Sequence, residues 1–151
     1  MDNADVVDAL NDLLENCRDG EYGFRTCVQQ AASPELKAAF ELRAGDCERA
    51  GVELAAAIVA LGGDPAEGGT ASGALHRGWV TLRASVSAMN DLDILEECER
   101  GEDAAMARYH DAISQHLPSS IADIVRRQYA GTKKNHDEIQ ALRDRFRAQH
   151  R

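Results

Sequence analysis

The feature that most constrains this chain is the spacing of its apolar residues, which recur in steps of three and four along four long segments. The first runs from about Asp2 to Ala32 and carries Val7, Leu10, Leu14, Cys17, Phe24, Val28 and Ala31 on one stripe. That period belongs to an α-helix with one buried face, not to a strand, whose period is two. Ser33-Pro34-Glu35 then reads as a cap, a first-turn proline and a first-turn acid. The second segment follows through Leu36, Phe40, Ala44, Cys47, Gly51, Leu54, Ile58 and Leu61, and stops at Gly62-Gly63-Asp64-Pro65. A third, from about 91 to 116, has its seam at Leu95, Cys98, Ala105, Tyr109 and Ala112. Pro118-Ser119-Ser120 restarts the chain into a fourth, about 120–148, built on Ile121, Val125, Gln128, Thr132, Ile139, Leu142 and Phe146. Aromatic residues make up only 5%, too few for a sandwich or barrel.

The connections set the topology. So few residues join the first two segments that they form an antiparallel hairpin, and the last two do the same. Between the hairpins lies a Gly-rich polar stretch, 62–73, then a short amphipathic helix over 74–87 with Leu75, Trp79, Leu82 and Val86. The expected fold is therefore one all-α domain spanning 1–151. It is a four-helix bundle with one long crossover containing a short extra helix, the ferritin-like arrangement. Trp79 fits either of two roles: an exposed anchor for a homodimer, or a lid docked on its own bundle.

Charge and cysteines exclude several classes. The net charge of −9, from 26 acids and 17 bases, argues against nucleic-acid binding. Residues 126–151 carry eight bases against three acids, which reads as a basic helix packed beside acidic ones. No apolar run approaches the roughly 18 residues of a membrane span, and the acidic start Met1-Asp2-Asn3-Ala4-Asp5 has no secretory character. Cys17, Cys27, Cys47 and Cys98 form no CxxC pair and read as reduced thiols in a cytoplasmic protein. There is no P-loop, dinucleotide fingerprint or Ser-His-Asp arrangement, and no small-molecule substrate is legible.

An internal repeat carries the chemistry. Leu14-Glu15-Asn16-Cys17-Arg18-Asp19-Gly20-Glu21 recurs as Leu95-Glu96-Glu97-Cys98-Glu99-Arg100-Gly101-Glu102, with Leu, Glu, Cys, Gly and Glu matching at an offset of 81 residues. Two related hairpins about a pseudo-two-fold axis follow from it. Glu21 and Glu102 both fall in the stripe that faces the bundle interior. A buried carboxylate must be paired, protonated or bound to a cation, because desolvating it costs several kcal/mol. Two symmetry-related glutamates are also what a di-metal carboxylate site draws from its first and third helices.

The stretches Asp19-Gly20-Glu21-x-Gly23-Phe24, Gly73-Ala74-Leu75-His76-Arg77-Gly78-Trp79, Glu97-Cys98-Glu99-Arg100-Gly101-Glu102-Asp103-Ala104 and Gln128-Tyr129…His136-Asp137 resemble a known group. It is the ferritin-like, rubrerythrin-like four-helix-bundle domain of unknown function found in bacterial stress-associated proteins. The resemblance implies the bundle fold and no settled activity. Ferritin-like di-iron enzymes place a Glu-x-x-His on the second and fourth helices. Here the second helix has no histidine, only Asp46 and Glu53 leaning inward, and the fourth has His136 with Lys133 three residues earlier. The surviving metal set is Glu21, Glu53, Glu102 and His136, with Glu99 one turn from Glu102. Such oxygen-rich ligands with one imidazole suit iron or another divalent metal. The alternative is a metal-free polar layer, with Glu21 and Glu102 paired to Lys133, His136 or Arg43, in a non-catalytic interaction or scaffold protein.

Overall fold

The computed structural model describes residues 1–69 and 89–149. Among them are four long helices: α1 (Asn3–Gln30), α2 (Pro34–Ala60), α3 (Asp91–Ile113) and α4 (Ser119–Gln149). The short helix expected over 74–87, with Trp79, lies outside the described residues. Each of the first three helices starts where a side chain replaces a missing intrahelical partner. Asp2 accepts from the Asp5 backbone and Asp5 returns the bond in a capping box. Ser33 caps α2 ahead of Pro34, and Asn90 caps α3. No helix of the described residues is long and apolar enough to cross a membrane.

Side-chain contacts fix how the helices run. Between α1 and α3, Cys17 meets Tyr109 and Cys27 meets Cys98. Between α2 and α4, Glu35 meets Arg145, Arg43 meets Glu138, Asp46 meets Asn135 and Glu53 meets Arg127. In each series one residue number rises as the other falls, so both pairs are antiparallel, as are the hairpins α1–α2 and α3–α4. The chain must then travel the whole bundle between α2 and α3. Its first stretch climbs along α1: Asn3 Nδ2 donates to Leu61 O, Arg18 Nη1 to Ala66 O, and Gly69 N to the buried Asp19 carboxylate. At the far end the Asp91 carboxylate accepts from Ala32 N and Ser33 N, pinning the start of α3 to the α1–α2 turn. This is a ferritin-like four-helix bundle with one long crossover.

The apolar core comes in two blocks. Phe24, Phe40, Ile94, Ile139 and Phe146 fill the end near the α1–α2 turn. Leu10, Leu14, Leu54, Ile58, Ile121 and Val125 fill the other. Bases of α4 reach acids of α2 and α3, as in Arg147–Glu96 and Arg127–Glu53. The basic C-terminal segment is thus a helix packed beside acidic ones.

Two glycines should respond in opposite ways to alanine. At Gly51 a Cβ would sit 3.6 Å from Leu14, ordinary contact, so Gly51→Ala should stabilise by about 0.5–1 kcal/mol through helix propensity. At Gly63 it would fall 2.7 Å from Val7 Cγ1, a stiff β-branched side chain, so Gly63→Ala should destabilise by about 1–3 kcal/mol. Urea unfolding of both variants checks the signs.

Candidate functional site

Between the two apolar blocks the helices carry polar residues inward and line a cavity of about 620 Å³ that opens to solvent past Arg49, Arg127, Lys134 and Glu138. α1 contributes Asn16 and Cys17, α2 Arg43, Asp46 and Glu53, α3 Glu102 and Tyr109, and α4 Gln128, Thr132 and Asn135. One part of this layer is tightly satisfied. Tyr109 Oη donates to Gln128 Oε1 at 2.8 Å, and Gln128 Nε2 donates to Glu53 Oε1 at 2.7 Å. Arg127 takes the other oxygen of Glu53, and these bonds hold the Glu53 carboxyl below its usual range, Arg127 contributing most. Asp46 is shared by Arg49 and Asn135.

The other part is not satisfied. Glu102 is 4% exposed, and among the described residues no hydrogen-bond donor reaches its carboxyl. Burial pushes it up to about 8, against the opposing pull of the Arg43 guanidinium. Arg43 gives Nη1 to Glu138 at 2.7 Å, but its Nε, 3.4 Å from Asp46, is buried without a hydrogen bond. Asn16 Oδ1 is likewise buried and unpartnered. The thiols of Cys17, Cys47 and Cys98 are all raised by burial, Cys17 to about 11, so they sit as neutral SH groups.

A second cluster lies in the groove between α3 and α4. Glu99, Asp103 and His136 bring one ligand atom each to within 4.8 Å of one another. Glu99 and Asp103 are four apart on α3 and so share a face, while antiparallel α4 delivers His136. Nε2 of His136 is 2.6 Å from Asp103 Oδ1, yet no hydrogen bond is aligned along that contact, and the atom is buried. Arg143 holds Oε2 of Glu99, which leaves Oε1.

The four sequence-derived ligands are therefore distributed. Glu53 and Glu102 line the cavity and His136 sits in the α3–α4 groove. Glu21 is turned toward Arg25, whose Nε donates to it at 2.8 Å, and does not line the cavity. The repeat breaks at this point. One turn beyond Glu21 stands Arg25, which also reaches Glu48, whereas one turn beyond Glu102 stands Met106, which offers no charge. Asp103 is the residue that sequence reasoning missed. The i, i+4 pairing of Glu99 with Asp103 was readable, but His136 as their neighbour depends on the α3–α4 register.

The interior does not fit a di-iron centre. Among the described residues no imidazole lines it, its carboxylates Asp46 and Glu53 are each committed to an arginine, and the Arg43 guanidinium already supplies positive charge beside Glu102. The buried Glu102 has a pH consequence. From about pH 4.5 to 8 the unfolded chain ionises this carboxyl while the folded chain keeps its proton, so stability falls as pH rises through that window. In chelator-containing buffer Glu102→Gln should exceed the parent by a few kcal/mol at pH 8 and by little at pH 5, read by urea unfolding. A difference independent of pH would contradict this.

Comparison with known proteins agrees with the fold. The bacterioferritin-related protein of Bacteroides fragilis, described as a dodecameric thioferritin, is similar with a TM-score of 0.82 and 18% identity, over 99% of this chain and 91% of that one. Dps of Mycobacterium smegmatis is similar with a TM-score of 0.80 and 15% identity, over 93% and 86%. A ferritin-like, diiron-carboxylate protein of Bacillus anthracis is similar with a TM-score of 0.74 and 18% identity, over 94% and 99%. No curated protein matches. Residues 5–115 match the domain of unknown function DUF2383, and the chain belongs to that family.

Proposed function

We propose that this ferritin-like bundle binds a single divalent metal ion in the α3–α4 groove, with Glu99, Asp103 and His136 as its protein ligands. The observation that carries this is His136 Nε2, buried, 2.6 Å from an Asp103 oxygen and without an aligned hydrogen bond. A cation held on the Nε2 lone pair and on the Asp103 and Glu99 oxygens beside it, about 2.0–2.2 Å from each after a small opening of the pair, would satisfy all three, which a misdirected proton does not. Two carboxylates and one imidazole suit manganese, iron or zinc. Of the ligand set expected from sequence, His136 alone stays in this reading, since Glu21, Glu53 and Glu102 lie outside the cluster of Glu99, Asp103 and His136. A metal held by three protein ligands supplies Lewis acidity and, if it is iron, one-electron chemistry. His136 orients the ion, and Arg143 fixes the Glu99 carboxylate that faces it. The cytoplasmic location read from the cysteines and the stress-associated setting implied by the resemblance belong to this reading.

Self-association is the companion reading, favoured by the outer face of α2. Ala38, Leu42, Gly45, Arg49, Val52, Ala56 and Val59 follow one another in alternating steps of four and three, and Leu42, Val52 and Val59 are all more than 60% exposed. A helix apolar on a second face belongs in an interface. We place a homodimer contact there, an assembly in keeping with the dodecameric thioferritin it resembles.

Calorimetric titration of chelator-stripped protein with Mn²⁺ or Zn²⁺ should give one ion per chain. His136→Ala should weaken binding at least about tenfold and Glu102→Gln should not. Two ions per chain, or unchanged affinity in His136→Ala, would count against the groove. For the interface, Val52→Lys should shift the sedimentation coefficient from dimer to monomer, and a parent protein that is monomeric at all concentrations removes that reading.

A further inference from the structure

The interior cavity has a chemistry of its own, independent of the metal groove. Two buried atoms facing it have no hydrogen bond, the Nε–H of Arg43 and the Oδ1 of Asn16, and among the described residues no donor reaches the carboxyl of Glu102. Their neighbours cannot serve them, because Tyr109, Gln128, Glu53 and Asp46 are already bonded to one another or to arginines and Asn135. Buried polar atoms in native proteins are satisfied as a rule, so a cluster of orphans around a void of about 620 Å³ points to a guest that supplies what the walls do not.

The orphans specify that guest. A cationic donor calls for a carboxylate, a carboxyl for an amine, and a neutral amide oxygen for a further N–H or O–H. The charges lining the cavity nearly balance, with Arg43, Arg49, Arg127 and Lys134 opposite Asp46, Glu53 and Glu138, and a Glu102 carboxyl that ionises once an ammonium group sits against it. A molecule without net charge therefore enters at least electrostatic cost, and a metal ion would meet the Arg43 charge. The register gives the length. Arg43 acts on Glu102 at one end of the layer, while Asn16 adjoins Cys17, which contacts Tyr109 at the other. Tyr109 lies seven residues along α3 from Glu102, about 10 Å of helix. A zwitterionic head and a four- or five-atom side chain span that distance.

We propose that the cavity binds a free amino acid with a donor-tipped side chain, its carboxylate on Arg43, its amine on Glu102 and its side-chain donor on Asn16. Calorimetry on the full chain in chelator tests this with glutamine, asparagine, citrulline and leucine as the probes. One of the three donor-bearing amino acids should saturate a single site and bind at least about tenfold more tightly than leucine, because leucine leaves Asn16 unpaired. Arg43→Met should weaken that ligand at least about tenfold. Asn16→Leu should abolish the preference over leucine, and Arg100→Ala, outside the cavity, should change nothing. If Arg43→Met does not fold by circular dichroism, Arg43→Lys replaces it and should still weaken binding by losing the planar fork. The proposal is overturned if none of the three donor-bearing amino acids binds at about 10 mM, with only ordered water filling the cavity in a crystal structure. It is equally overturned if binding is indifferent to both Arg43 and Asn16.

Discussion

An ionisable side chain in the middle of a helical bundle must find its compensation inside the protein, and in this chain Arg43 is where that compensation converges. Its guanidinium ties α2 to Glu138 of α4 and acts on the buried Glu102 of α3. The polar layer it anchors separates two apolar blocks, so the core is not one continuous packing but two joined through hydrogen bonds and charge. α2 and α4 are the neighbouring helices that approach least closely, and they are bridged by long polar side chains. The cavity exists because arginine–carboxylate bridges span a wider gap than interlocking aliphatic side chains do.

The same layer explains how a fold shared with diiron-carboxylate proteins departs from a di-iron interior. Where two metal ions would need imidazoles and uncommitted carboxylates, this chain has arginine, glutamine, asparagine and threonine. A guanidinium neutralises carboxylates as a cation does, but it is covalently tethered and directional. Among the described residues the one histidine near the layer, His136, is presented to the α3–α4 groove and meets Asp103 there.

Much of the fold was legible beforehand because it rests on local rules. The steps of three and four mark the buried stripes, and Asp2, Ser33 and Asn90 fall at the starts of α1, α2 and α3. The candidate site was legible only in part. Glu102 and Glu21 hold equivalent places in the repeat, yet one is buried and the other pairs with Arg25. The difference arises one helical turn away, where α1 has an arginine and α3 a methionine.

The helices, the hairpins, the long crossover and the carboxylates on the inward stripe follow from the order of residues alone, because periodicity, caps and connection lengths act over a few residues. Which acids face a void, which face an arginine and which face His136 is settled by how the helices pack. Those outcomes depend on the register of antiparallel neighbours, where a shift of one residue turns a side chain by about 100° around its helix and exchanges one partner for another.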